Sequence, residues 1–335
     1  VVLESMREVV IALDAEQKIT LLNRSAMRRL ELKPSVVGKR LADVIPSEEL
    51  QSALEDMNDD DDSNLEIVFD GGGKRRTMRV RIGNVANRPG CVLVMRDVTR
   101  LRRLETMRRD FVANVSHELR TPVSVIRLNA EALSSGAMTD PENGPRFVQA
   151  LLRNSERLSD LISDLLDISR IESGQYAVQS EVMSIEPIVE RVIESVEPLA
   201  QERNTSIRST VESEIRVKAD AKALDHVLVN LIQNAVKYGG DDGEVIVSAY
   251  AKGKRVRIEI RDTGPGIPED LRKRVFERFY RVDKGRSKHM GGTGLGLAIV
   301  KHLVLNMGGK VGVVSNEPTG ACFYVELLAD QKSTA

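Results

Sequence analysis

The heptapeptide SHELRTP, residues 116–122, sets a histidine, a glutamate, an arginine and a threonine directly before a proline. A neutral imidazole is a competent nucleophile near neutral pH, and an adjacent carboxylate can take its other ring proton and set its tautomer. His117 and Glu118 supply that pair. At about 100° per residue, His117 points roughly 160° away from Val115 and Leu119, so it projects opposite an apolar stripe and faces solvent. Thr121 follows one turn later over the same face. Pro122 removes the backbone donor that would reach Glu118, which lets the helix bend just after the histidine. Such a histidine becomes a phosphoacceptor only if a phosphoryl donor is held elsewhere in the chain.

No GxxxxGK[ST] loop occurs, and GGTGLGL (291–297) does not fit the GxGxxG dinucleotide spacing. The chain offers instead, in order, NLIQNAVKY (230–238), DTGPGI (262–267), FERFY (276–280) and GGTGLGL. Asn230 and Asn234 are i, i+4 neighbours whose amide oxygens suit a hard cation such as magnesium held between phosphates. Lys237 can reach the same phosphates, and Tyr238 closes the segment. Asp262 precedes Gly264 and Gly266, where a carboxylate accepts from an adenine amino group while glycine backbone passes close to the ring. Gly292, Gly294 and Gly296, with Thr293 and Leu295 between them, lead into a helical run and present backbone N–H groups to phosphate. Between Gly266 and Gly291, the Phe276/Phe279 pair and the cations Arg281, Lys284, Arg286 and Lys288 read as a mobile lid over the nucleotide. The expected cofactors are ATP and Mg2+.

These residues need elements to hold them. From Arg100 to about Ala137, apolar residues recur every three or four positions (Leu104, Met107, Phe111, Val115, Leu119, Pro122, Ile126), which predicts a long helix. The turn-rich SSGAMTDPENGP (134–145) separates it from a second stripe at Leu151, Leu158, Leu161, Leu165 and Ile168. Two such helices form an antiparallel hairpin, and their stripes are expected to meet those of a second copy in a homodimeric four-helix bundle. Residues 1–97 alternate short apolar runs such as VVIAL (9–13) and CVLVM (91–95) with turns, the pattern of a small mixed α/β domain with an antiparallel sheet. Beyond about Tyr176, helical patterns at 185–203 and 221–238 alternate with strands at 244–250, 255–262, 310–316 and 321–328, as in a two-layer α/β sandwich. The acidic DDDD (59–62) lacks the glycine and distal glutamate of a calcium loop and reads as a solvated loop.

Composition adds exclusions. Lys and Arg number 49 against 50 Asp and Glu, a net charge of −1, so nothing points to nucleic acid as partner. Cys91 and Cys322 show no metal or CxxC spacing and read as packing residues in a reducing compartment. No apolar run approaches the roughly 18 residues a membrane helix needs. The chain is expected to be cytoplasmic as given, while its opening Val1-Val2-Leu3 without methionine leaves room for a membrane anchor upstream.

Together, these segments resemble the bacterial two-component sensor histidine kinases over roughly residues 100–330: SHELRTP the H box, NLIQNAVKY the N box, DTGPGI the G1 box, FERFY the F box and GGTGLGL the G2 box. The resemblance implies that His117 is the phosphoacceptor, Glu118 the general base, Asn234 the magnesium ligand with Asn230 beside it, and Asp262 the adenine reader. It implies a Bergerat-type ATP-binding domain, a helical hairpin for dimerisation and phosphotransfer, and a response-regulator protein as partner. The first 97 residues resemble a PAS sensor domain, with DVT (97–99) at its junction to a signalling helix; His117 is the chain's first histidine, so no haem ligand precedes it and no prosthetic group is expected. The layout is also that of phosphate-regulon kinases, which many relatives share. The chain is thus expected to be a multidomain α+β protein: a PAS-like sensor at 1–99, the hairpin at 100–175 and the catalytic domain at 176–335. Glu118 to Thr121 resembles the Glu-x-x-Thr arrangement of bifunctional members that also dephosphorylate their regulator. Two other classes share parts of this layout. ATPases of the gyrase and heat-shock-90 group place a water-activating glutamate where this chain has Asn230, which cannot act as a base; a non-enzymatic dimeric scaffold need not keep every one of these residues.

Overall fold

VVIAL and CVLVM, apolar runs bounded by turns, become neighbouring strands in the computed structural model of the chain, which describes residues 2–56, 63–71, 74–84, 89–176, 178–240, 242–282 and 292–330. The acidic run at 59–62 and the lid cations Lys284, Arg286 and Lys288 lie outside the described residues. The chain divides into two units, Val1–Ala113 and Asn114–Ala335.

In the first unit, β1 (Val9–Leu13), β2 (Ile19–Leu22), β3 (Ser63–Gly71), β4 (Lys74–Asn84) and β5 (Cys91–Asp97) form one antiparallel sheet in the order β2-β1-β5-β4-β3. Its short helices are α1 (Val2–Ser5), α2 (Arg24–Arg29), α3 (Leu41–Val44) and α4 (Glu48–Glu55). Alternate strand residues Ile11, Met78, Ile82, Leu93 and Met95 are buried with Leu41 and Leu50 of the helices, the period-2 burial of a sheet with one covered face. Buried Asn23 organises this corner: its Oδ1 accepts the N–H groups of Ala26 (2.9 Å) and Val10 (3.1 Å), capping α2 and tying it to β1. At the sheet's exit, Asp97 Oδ1 accepts the Thr99 N–H (3.0 Å) and hydroxyl (2.6 Å), while Thr99 Oγ1 accepts the Thr77 N–H at 2.9 Å. There the 36-residue helix α5 (Thr99–Ser134) begins, and Glu66 of β3 clasps its first turn through Arg102 at 2.6 Å.

In the second unit, α5 continues, turns through Ala137–Thr139 and pairs with α6 (Asn143–Glu172). Pro122 is buried inside an unbroken α5. After α6 come β6 (Glu181–Ser184), α7 (Glu186–Glu202), β7 (Ser206–Ser209), β8 (Arg216–Ala219), α8 (Ala221–Tyr238), β9 (Glu244–Lys252), β10 (Arg255–Asp262), α9 (Gly296–Asn306), β11 (Lys310–Ser315) and β12 (Ala321–Ala329). The sheet runs β6-β8-β12-β10-β9-β7, with β11 added beside β12. Val256, Ile258 and Ile260 of β10 and Leu224, Val227, Leu228 and Leu231 of α8 bury the interface between the sheet and helix layers.

Two expectations need correction. The second stripe does not wait for another copy, because Leu161 and Ile168 of α6 are already buried in the core shared with the α/β layers, 2% and 1% exposed. The exposed apolar line on α6 is Val148, Leu152, Ile162 and Leu166, and α5 adds Val112, Val123 and Leu128. Nor is Phe276 part of a lid: it is buried and meets Phe323 edge-on at 6.3 Å, which anchors the F-box segment to the sheet.

Candidate functional site

His117 is exposed on α5, as its angular position required. Glu118 beside it turns toward α6, where Arg157 Nη2 lies 3.0 Å from its Oε2, a half-buried ion pair that fixes the direction of the carboxylate. The Thr121 hydroxyl donates to the His117 carbonyl at 3.2 Å, the local back-bonding common for threonine in helices. The pairing with Arg157 was not legible in sequence; nothing singles out that arginine among its neighbours.

The nucleotide motifs converge at the ends of α8, β10 and α9. Asp262 ends β10 and is 4% exposed. Its Oδ1 accepts the N–H groups of Gly264 at 2.9 Å and Ala321 at 3.1 Å. Burial pushes the carboxyl up from the ordinary aspartate value, against the downward pull of those two amides. Asn316 Nδ2 donates to the Asp262 carbonyl at 2.8 Å, so the last turn of the domain braces the residue from behind. Gly264 must be a glycine: a Cβ there would run into the Tyr238 carbonyl and lie 3.0 Å from Asp262 Oδ1. Gly266, with positive φ, passes over Gly320.

On α8, Asn230 Nδ2 donates to the His226 carbonyl at 3.0 Å, and its Oδ1 rests against the Cα of Gly296, where a side chain would collide with it. Asn234 and Lys237 follow at helical spacing, both partly buried. Burial pushes the Lys237 ammonium down, opposed by the charges of Asp160 and Asp164. Tyr238, at the end of the helix, keeps its hydroxyl beside Gly292. In the G2 segment, Thr293 Oγ1 accepts the Leu295 N–H at 3.2 Å and donates to Asp164 Oδ2 on α6 at 2.7 Å. Leu295 is fully buried and delivers the chain into α9 at Gly296. Gly294 takes φ +73° beside Phe279, which has φ +58°, and the Phe279 N–H donates to the Gly294 carbonyl at 2.8 Å. Arg281 follows, half-buried, at the end of the described F-box segment.

Asn230, Tyr238, Asp262, Gly264 and the G2 glycines thus close around one cradle, although they lie on three separate stretches of chain. The donor set fits a magnesium nucleotide: amide oxygens on α8, the Lys237 ammonium, the Thr293 hydroxyl, and a buried carboxylate at one end. Sequence reading missed Ala321, Asn316 and Asp164, whose contacts with the motifs span 59, 54 and 129 residues.

Comparison with known proteins is consistent across the chain. Residues 219–331 match the family described as histidine kinase-, DNA gyrase B-, and HSP90-like ATPase, residues 107–174 the His Kinase A (phospho-acceptor) domain, and residues 3–103 a PAS fold. The sensor-like histidine kinase SenX3 of Mycolicibacterium smegmatis is 37% identical over 249 residues, covering 74% of this chain and 65% of that protein. Sensor protein kinase WalK of Staphylococcus saprophyticus is 33% identical over 333 residues, covering 97% of this chain and 54% of that protein. A WalK sequence of Staphylococcus aureus is also 33% identical, covering 97% of this chain and 79% of that protein. The chain therefore spans only 65% and 54% of the first two relatives' length. Among solved structures, Acinetobacter baumannii histidine kinase AdeS matches with a TM-score of 0.53 at 26% identity, over 64% of this chain and 98% of that one. Histidine kinase ThkA, solved in complex with response regulator protein TrrA, has the same fold over 99% of this chain and 98% of its own, with a TM-score of 0.55 at 24% identity.

Proposed function

This chain belongs to the sensor histidine kinases, and from that premise we propose that it phosphorylates His117 from Mg-ATP and passes the phosphoryl group to an aspartate of a response-regulator protein. The observation that carries the reading is the convergence of the N-, G1- and G2-segment residues on one cradle in a chain that also exposes His117 on α5. In the reaction, a ring nitrogen of His117 bonds to the γ-phosphorus, the bond from that phosphorus to the bridging oxygen of ADP breaks, and the other ring nitrogen gives its proton to Glu118. Asp262 accepts the adenine amino group through the oxygen not used by Gly264 and Ala321. Asn234, with Asn230 beside it, would hold a magnesium ion, which when bound would supply positive charge to the phosphates. Lys237, Tyr238, Arg281, the Thr293 hydroxyl and the backbone at Gly292, Gly294, Leu295 and Gly296 receive the phosphates, with Gly264 and Gly266 lying close to the base.

The working division is a sensor at 1–99, a dimerisation and phosphotransfer hairpin at 100–175 and a catalytic domain at 176–335. Thr121 serves a second activity, orienting water toward the regulator's phosphoaspartate one turn beyond His117. Radiolabelled ATP tests the scheme. The label should be acid-labile and base-stable, absent in His117→Gln and in Asn234→Ala, and lost when magnesium is chelated; wild-type labelling of His117→Gln would overturn it. Thr121→Ala should lose most phosphatase activity and retain much of the kinase activity, and equal loss of both would remove Thr121 from the scheme.

A further inference from the structure

Asp160, Asp164 and Asp167 are spaced four and three residues apart and so share one face of α6. That face meets the groups that would receive polyphosphate. Asp164 Oδ2 accepts the Thr293 hydroxyl at 2.7 Å. The Lys237 ammonium lies within the influence of both Asp160 and Asp164. Asp167 Oδ2 lies 3.8 Å from Nδ1 of His226. Farther along the helix, Glu172 pairs with Arg278 of the F-box segment. Carboxylates and phosphates are both oxyanions that take the same hydroxyl, ammonium and guanidinium donors, so the two cannot both satisfy this end of the cradle.

We propose that the acidic face of α6 is a built-in competitor of the nucleotide: Asp164, with Asp160 beside it, stands at the phosphate end of the cradle, and ATP binds once Asp164 gives up Thr293. This rests on the nucleotide reading of the cradle given above. The position along the helix agrees with a resting arrangement. Arg157, which faces Glu118, marks the level of His117 on α6; Asp164 lies two turns farther on, about 10 Å along the axis. A cradle docked there holds its phosphate end away from the histidine it must serve. Burial pushes the docked Asp164 carboxyl up and Asp160 and Asp167 add to the rise, while the Thr293 hydroxyl and His226 pull it back down. An incoming triphosphate therefore takes the Thr293 hydroxyl from a carboxylate whose ionised form burial already disfavours.

Apparent affinity falls in proportion to the fraction of molecules in which the site is open, so undocking mutations should tighten triphosphate binding. The test is calorimetric titration of the full chain with ATP and with adenosine in magnesium buffer, in a His117→Gln background so that no transfer consumes ATP. Asp164→Asn and Asp164→Ala should bind ATP about five- to twentyfold more tightly, with adenosine affinity unchanged because the adenine end is untouched. Glu172→Gln should shift ATP affinity the same way and serves if Asp164→Ala does not fold by thermal melting. Unchanged or weaker ATP binding in folded Asp164→Asn and Glu172→Gln overturns the inference while leaving the cradle intact, provided Asp262→Asn still weakens ATP. A background chain that binds no ATP at all overturns the nucleotide reading and the inference with it.

Discussion

Asp262 is held by two backbone amides and almost sealed from solvent, and its burial sets stability against ligand recognition. Its carboxyl is raised in the folded chain, so the stability it contributes is present below the ordinary aspartate range and is lost as pH rises through the raised value. The carboxylate form is the one that offers an acceptor at both oxygens, one of them to an adenine amino group. Asp262→Asn should therefore match or exceed the parent's melting temperature near pH 8, with the advantage shrinking as pH falls toward 5, while ATP binding weakens by about 1–3 kcal/mol. A variant that melts lower at every pH would show that the charge itself stabilises the fold. Arg157 is the other residue-scale test. Its guanidinium aims Glu118 across the hairpin, so Arg157→Gln should slow single-turnover phosphorylation and leave the ATP dissociation constant unchanged; a parallel loss of ATP affinity would argue against a positioning role.

Elements carry the next set of consequences. The G2 segment is held to the F-box segment through Gly294, whose left-handed backbone lies so close to Phe279 that an added Cβ would sit 3.0 Å from the Phe279 Cα. Gly294→Ala should cost about 1–2 kcal/mol from backbone strain alone, and it should weaken ATP more than adenosine because the displaced segment lies at the phosphate end. Normal melting together with normal ATP binding would show that the segment shifts freely. The hairpin presents the opposite case, an apolar face that the described residues leave exposed. Leu152 and Leu166 of α6 are 58% and 54% exposed, and Val123 and Leu128 of α5 are 51% and 59% exposed. Apolar lines of this length on adjacent helices fit a four-helix bundle formed with a second copy. Ile162→Glu combined with Leu166→Glu should convert a dimer into a monomer in sedimentation at micromolar concentration, and an unaltered sedimentation coefficient would place the interface elsewhere.

At the scale of the whole molecule, the two units have separate apolar cores, one centred on Ile11, Met78 and Leu93 and the other on Leu224, Leu228 and Ile258. Among the described residues, no buried residue belongs to both clusters. Leu93, fully buried, should cost the first unit about 2–5 kcal/mol when replaced by alanine. Calorimetry should then show one transition moving down while a second, belonging to the second unit, stays in place; a single transition shifted as a whole would mean that the units unfold together.

Much of this architecture was legible in the chain because its signals are local. Period-2 alternation marked β10 to the residue, 255–262, and helical periodicity marked α8, 221–238. The glycine and asparagine segments identified the cradle for the same reason, since their backbone conformations and helix-face spacings are properties of a few consecutive residues. The short strands β6, β7 and β8 were missed: each is four residues long, and segments such as SIRS are mostly exposed, so no alternation is long enough to read. Which α6 carboxylate meets Thr293, which arginine aims Glu118 and which amide braces Asp262 depended on chain closure over 129, 39 and 59 residues. Several aspartates and arginines along α6 are chemically equivalent in sequence. Only the packing of α6 against the catalytic layer, driven by the burial of Leu161 and Ile168, chose among them, because burial fixes the helix's rotation and hence which side chains face the cradle.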